Sequence, residues 1–121
     1  MVAGVQSAYY LPTAVLPFLS RDWFEALTGP KREWWLVLTV GTQVGVIGTV
    51  LGLATRRGAV SSEIRVLGAG AAAGLAAIDV VYVARRRISP SYLVDAAIEI
   101  GLLAAWAQAD DVRPPQPAAA Q

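Results

Sequence analysis

The apolar positions of this chain fall in long blocks instead of alternating with polar ones. Between residues 34 and 55 the one strongly polar side chain is Gln43, and between 66 and 84 it is Asp79. Each block runs for about twenty residues, which is what a helix needs to cross about 30 Å of hydrocarbon. Residues 2–19 and 90–108 are also long enough, although the first carries Pro12 and Pro17 and the second Asp95 and Glu99. The first has no basic start and no small-x-small exit, so it reads as a helix kinked at Pro12 and not as a cleaved leader. The pattern predicts an all-α fold, a four-transmembrane-helix bundle over residues 1–109 with spans at about 2–19, 34–55, 66–84 and 90–108.

Short polar stretches punctuate these blocks. Ser20 is placed to cap a short amphipathic interfacial helix after the first, running through Trp23, Phe24 and Leu27 and ended by Thr28, Gly29 and Pro30. With Lys31, Arg32, Trp34 and Trp35 its aromatics form a belt suited to headgroup depth. Arg56, Arg57 and Gly58 make the next turn, Arg85–Arg87 the one after, and Ser89 with Pro90 reads as the cap and first position of the last helix. Residues 110–121, with Pro114, Pro115 and Pro117, read as a disordered polar tail. The loops holding Arg21, Lys31, Arg32 and Arg85–Arg87 outweigh in positive charge those holding Arg56, Arg57, Arg65 and Arg113, which favours the cytoplasm for the first group and a multi-pass protein of the cell inner membrane.

Composition narrows the chemistry. The chain is 55% hydrophobic, and its mean hydropathy of +0.49 lies well above that of an ordinary soluble domain. It has no cysteine and no histidine, and its methionine is Met1, so no metal site, haem or other cofactor is expected. Lys31, the sole lysine, falls in a loop, which excludes a Schiff base inside the bundle. A net charge of +1, with arginines in clusters at helix ends, leaves no nucleic-acid footprint.

Gly41, Gly45, Gly48 and Gly52 lie in one narrow helical strip, and Gly70 and Gly74 repeat the small-xxx-small spacing. Since lipid removes the hydrophobic drive between helices, such strips permit close backbone approach. The expected contact joins the helices at 34–55 and 66–84; a homodimer seam is the alternative use.

The acids are the candidate site. Asp79 and Asp95 lie about 8 Å inside the same boundary by helical rise, Glu99 is one turn beyond Asp95, and Gln43 reaches a similar depth. Ionised carboxylates in hydrocarbon are expensive, so such groups turn inward, find partners or take up a proton. A ligand-binding set of Glu99, Asp79, Asp95, Gln43, Tyr82 and Trp106 follows, with Tyr9, Tyr10 and Tyr92 as further wall candidates. The bland alternative pairs Asp79 or Asp95 with Arg86 or Arg87, and Glu99 with Gln43 or Tyr82, as glue between helices.

The stretches Thr28-Gly29-Pro30-Lys31, Trp35-Leu36-Val37, Asp79-Val80-Val81-Tyr82-Val83 and Ile88-Ser89-Pro90-Ser91-Tyr92-Leu93-Val94-Asp95 together resemble a group of small bacterial four-helix membrane proteins of unassigned function. The resemblance covers residues 9–106 and implies topology, not chemistry. In architecture alone the chain is similar to the DoxX-like proteins and to the sterol-isomerase and sigma-2 receptor group, whose pockets hold membrane acids.

The leading expectation is a protein that binds or transports a small hydrophobic or cationic molecule, or a lipid, at a carboxylate cluster in the bilayer. An accessory subunit of a larger membrane complex is the first alternative, with the glycine strip and aromatic belt as docking surfaces. A lipid-modifying enzyme is the second, with an acid protonating an isoprenoid and Trp34, Trp35 or Trp106 stabilising the cation. Residue spacing demands no catalysis.

Overall fold

A computed structural model describes residues 2–109 and contains, among them, five α-helices and no β-strand: α1 Val2–Leu19, α2 Arg21–Thr28, α3 Trp34–Arg57, α4 Ser62–Ala84 and α5 Tyr92–Gln108. The tail expected over 110–121 lies outside the described residues.

Local chemistry sets the helix ends. The Ser20 hydroxyl accepts from the Trp23 amide at 3.2 Å, and the Ser61 hydroxyl accepts from the Ile64 amide at 3.3 Å, each satisfying an orphan donor of a first turn. Gly58 closes α3 in the left-handed region at φ 66°, where a side chain would be strained. The last helix starts later than Ser89-Pro90 suggests. The amides of Tyr92, Leu93 and Val94 bond back to the carbonyls of Ser89, Pro90 and Ser91, so a tight 3₁₀-type turn precedes α5, and Ser91 takes the cap position with its hydroxyl on Ser89 Oγ and not on an amide of the first turn.

The expectation of four membrane spans is overturned. Two helices are long and apolar enough to cross a membrane, Trp34–Arg57 and Ser62–Ala84, each with a mean hydropathy of 1.9. Helix α5 has 17 residues and carries Asp95 and Glu99, while α1 is diluted by Gln6, Ser7, Tyr9, Tyr10 and Thr13. Of these polar groups, Gln6, Tyr9, Tyr10, Asp95 and Glu99 make hydrogen bonds between α1 and α5 or from α1 to α4.

The glycines of α3 also find a different partner from the one expected. They pack on α1, which runs antiparallel to α3. A methyl group added at Gly48 would stand 3.1 Å from Cβ of Tyr10, one at Gly41 3.3 Å from the Ala14 carbonyl, one at Gly45 3.5 Å from Cβ of Ala14 and one at Gly52 2.8 Å from Oγ of Ser7. Ser7 fastens the seam by donating to the Gly48 carbonyl at 2.7 Å. Helix α4 pairs instead with α5. Its buried strip is Gly68, Ala72, Ala76 and Asp79, one helical face, and the Trp106 ring fills the notch at Gly68. Gly70 and Gly74 lie off that strip, and a methyl group on either would meet nothing within 4 Å. They make no close helix contact here.

The α1–α3 and α4–α5 pairs meet where α1 faces α5 and where α3 faces α4. Outward, large apolar side chains remain uncovered along α3, α4 and α5, among them Val46, Leu53, Val66, Ile78, Val80 and Ile100.

Candidate functional site

Two polar strips register along the seam between α1 and α5. On α1, Gln6, Tyr9 and Tyr10 share a face by their spacing; on α5, Asp95, Glu99, Leu102 and Trp106 do the same. Tyr9 donates its hydroxyl to the Asp95 carboxylate. One turn on, Tyr10 donates to Glu99 Oε2 at 2.8 Å. At the far end the Trp106 indole N–H donates to Gln6 Oε1 at 2.6 Å, and Gln6 Nε2 donates to the Gly68 carbonyl of α4 at 3.0 Å. Gln6, Tyr10, Glu99 and Trp106 are all buried, so each polar atom needs this partner.

Beside the acidic end of this ladder the two helix pairs diverge and leave a cavity of about 630 Å³. Asp79 from α4 and Asp95 and Glu99 from α5 line it, together with Tyr9 and Tyr10 from α1. Val40 and Val44 of α3 and Leu75 of α4 supply apolar wall, and Phe24, Leu27 and Thr28 place α2 across one end. The volume falls within the range of small-molecule sites, and so does the ratio of many apolar walls to few polar groups.

The three acids differ in their partners. Asp95 and Glu99 each accept from a tyrosine, whereas Asp79 is 5% exposed and its Oδ2 is buried with no hydrogen-bond partner. None of the three pairs with an arginine of the described residues; Arg85, Arg86 and Arg87 all stand exposed beyond the end of α4. The glue arrangement with Arg86 or Arg87, and with Gln43 or Tyr82 on Glu99, is therefore not the one adopted.

The remaining expected site residues lie elsewhere. Gln43 has the right depth but is exposed, because α3 gives its Gly41–Gly48 strip to α1 and Gln43 projects off that strip. Tyr82 is 41% exposed, with the Arg85 guanidinium 5.9 Å above its ring. Trp106 is buried but belongs to the Gln6 clasp, about 10 Å along α5 from Glu99, and does not line the cavity. Gln6 and Ser7 are the polar anchors that sequence reasoning passed over. Their signal was a polar pair in an apolar block, four and three residues before Tyr10.

At the mouth, Lys31 caps α2. Its ammonium donates to the carbonyls of Thr28 at 2.7 Å and Gly29 at 2.8 Å and stands 5.2 Å from the Tyr92 ring centre. Burial pulls this ammonium below the usual lysine range, against a smaller opposing pull from Glu25. Arg21 adds a bond to the Lys31 carbonyl and lies 4.8 Å from the Trp34 ring centre, which ties α2 to the start of α3.

No protein family, curated protein or solved structure matches this chain.

Proposed function

We propose that this is a multi-pass protein of the cell inner membrane, crossing it with α3 and α4, and that it binds a small hydrophobic or cationic molecule or a lipid in the cavity beside Asp79. The membrane assignment rests on the two apolar helices and on the uncovered Val, Ile and Leu side chains along them, which a monomer in water would not leave exposed in such number. The binding assignment rests on one observation above the others. Asp79, on a helix that could span the membrane, has a buried carboxylate oxygen without a partner at the wall of a largely apolar cavity. An unsatisfied carboxylate in such a place is costly, and a ligand or proton relieves it.

The test is thermal stabilisation of detergent-purified protein by lipids, quinones, sterols and cationic amphiphiles, with Asp79→Asn beside the parent. Saturating ligand at about 100 Kd stabilises by about 2.7 kcal/mol, a readily measured shift. Stabilisation of the parent by any of these classes supports the reading. A well-folded parent that responds to none of them rejects it and leaves the accessory-subunit alternative.

A further inference from the structure

Resting on that reading, we infer that the occupant of the cavity is an organic ammonium ion, an amine with a compact apolar body, whose nitrogen sits against Asp79. Three carboxyl groups line the cavity, and the side chains of Asp79 and Asp95 lie next to each other, yet no lysine or arginine of the described residues pairs with any of them. Tyr9 and Tyr10 satisfy Asp95 and Glu99 with neutral hydroxyl donors, which bring no counter-charge. Asp79 has neither a donor on Oδ2 nor a counter-ion. A cation brought by the ligand answers both needs at once.

The walls point the same way. Tyr9 and Tyr10 line this cavity beside the acids, and aromatic rings together with a carboxylate are the groups that hold a desolvated ammonium; Phe24 and Tyr92 line it too, but their rings already lie near the Lys31 ammonium. A phosphate or carboxylate headgroup would meet three acids instead, so an anionic lipid is disfavoured. Depth fixes the orientation: Asp79 lies about 8 Å inside the end of α4 by helical rise, so the nitrogen stays near the headgroup boundary. The apolar body then lies along Val44 and Leu75.

The experiment compares two ligands of one shape, 2-(1-naphthyl)ethylamine and 2-(1-naphthyl)ethanol, by fluorescence titration of the whole chain in maltoside micelles at neutral pH. The ammonium should bind the parent at least about ten-fold more tightly than the alcohol, as a single desolvated ion pair of about 1.4 kcal/mol would give. Asp79→Asn should remove most of that preference by weakening the ammonium far more than the alcohol. Equal binding of both ligands by the parent would overturn the ammonium assignment while leaving the cavity reading intact; binding of neither by folded protein would overturn both. The comparison on the parent needs no variant, so it decides the question even where Asp79→Asn does not fold. Tyr9→Phe, which keeps the ring wall, should retain the preference for the amine.

Discussion

The Tyr10 hydroxyl reaches across from α1 to bond the Glu99 carboxylate of α5 at 2.8 Å, and both side chains are almost fully buried, at 1% exposure each. This contact ties the α1–α3 pair to the α4–α5 pair at the level where the cavity opens. Removing one partner strands the other, and a stranded buried polar group costs more than the bond itself contributes. The net contribution of such a hydrogen bond is nonetheless modest, about 1 kcal/mol.

Tyr10→Phe should therefore lower stability by about 1–2 kcal/mol in detergent unfolding, with Glu99 left without its donor. Adding Glu99→Gln to Tyr10→Phe should cost less than the two single losses combined. Additive losses in that double-mutant cycle would show that the two groups do not act as a pair.

The glycines divide into those that matter and those that do not. Gly68→Ala places a methyl group 2.5 Å from the Trp106 ring, which is held by its bond to Gln6 and cannot retreat freely. The expected loss is about 1–3 kcal/mol from overpacking, relieved when Trp106 is shortened to Leu. Gly74→Ala meets nothing within 4 Å and exchanges a flexible helical residue for a good helix former. It should be neutral or stabilising by up to about 1 kcal/mol. If Gly74→Ala proved the more damaging of the two, α4 would be rotated from the orientation described.

These outcomes bear on what the sequence could and could not tell. Counting helical rise from the Arg85–Arg87 boundary is enough to place Asp79, Asp95 and Glu99 at neighbouring depths, because the rise is fixed by backbone geometry. Rotation about each helix axis is not fixed that way. Gln43 has the depth of Glu99 but faces outward, since the rotation of α3 is set by which helix takes its glycine strip. That choice fell to α1 through a match of small residues, Ser7 and Ala14, with Gly52, Gly48, Gly45 and Gly41, and nothing in α3 alone announces the partner. The number of spans was misjudged for a related reason. Length alone admitted 2–19 and 90–108, but α1 is diluted by Gln6, Ser7, Tyr9 and Tyr10, and α5 has 17 residues of which two are the acids Asp95 and Glu99.

Lys31 gives a prediction in pH. Its folded-state value is lowered from the ordinary 10.5, chiefly by burial, so between that lowered value and 10.5 the unfolded chain binds more protons at this site than the folded one. Stability from this group must then rise as pH rises through that window. Lys31→Gln keeps a donor for the carbonyls of Thr28 and Gly29 but cannot titrate. Unfolding followed across the alkaline range should show a steeper upward trend for the parent than for the variant. Parallel curves would mean that the ammonium is as well solvated in the folded protein as in the unfolded one.

The absence of cysteine makes the membrane proposal directly testable, since any engineered thiol is the sole reactive one. With α3 and α4 as the crossing helices, the turn at Gly58 and Ala59 emerges on one side, and the turns that hold Arg32 and Arg86 emerge on the other. The cluster of Arg21, Lys31, Arg32 and Arg85–Arg87 at the second side favours the cytoplasm for it. Ala59→Cys should accordingly react with a membrane-impermeant maleimide in intact cells, while Arg86→Cys should react only after permeabilisation. Arg86 carries a positive φ of 57°, so Arg32→Cys serves as a second reporter free of that backbone strain. Labelling of all three in intact cells, or recovery of the protein in the fraction released without detergent, would remove α3 and α4 as crossing helices and with them the basis for placing Asp79 inside a bilayer.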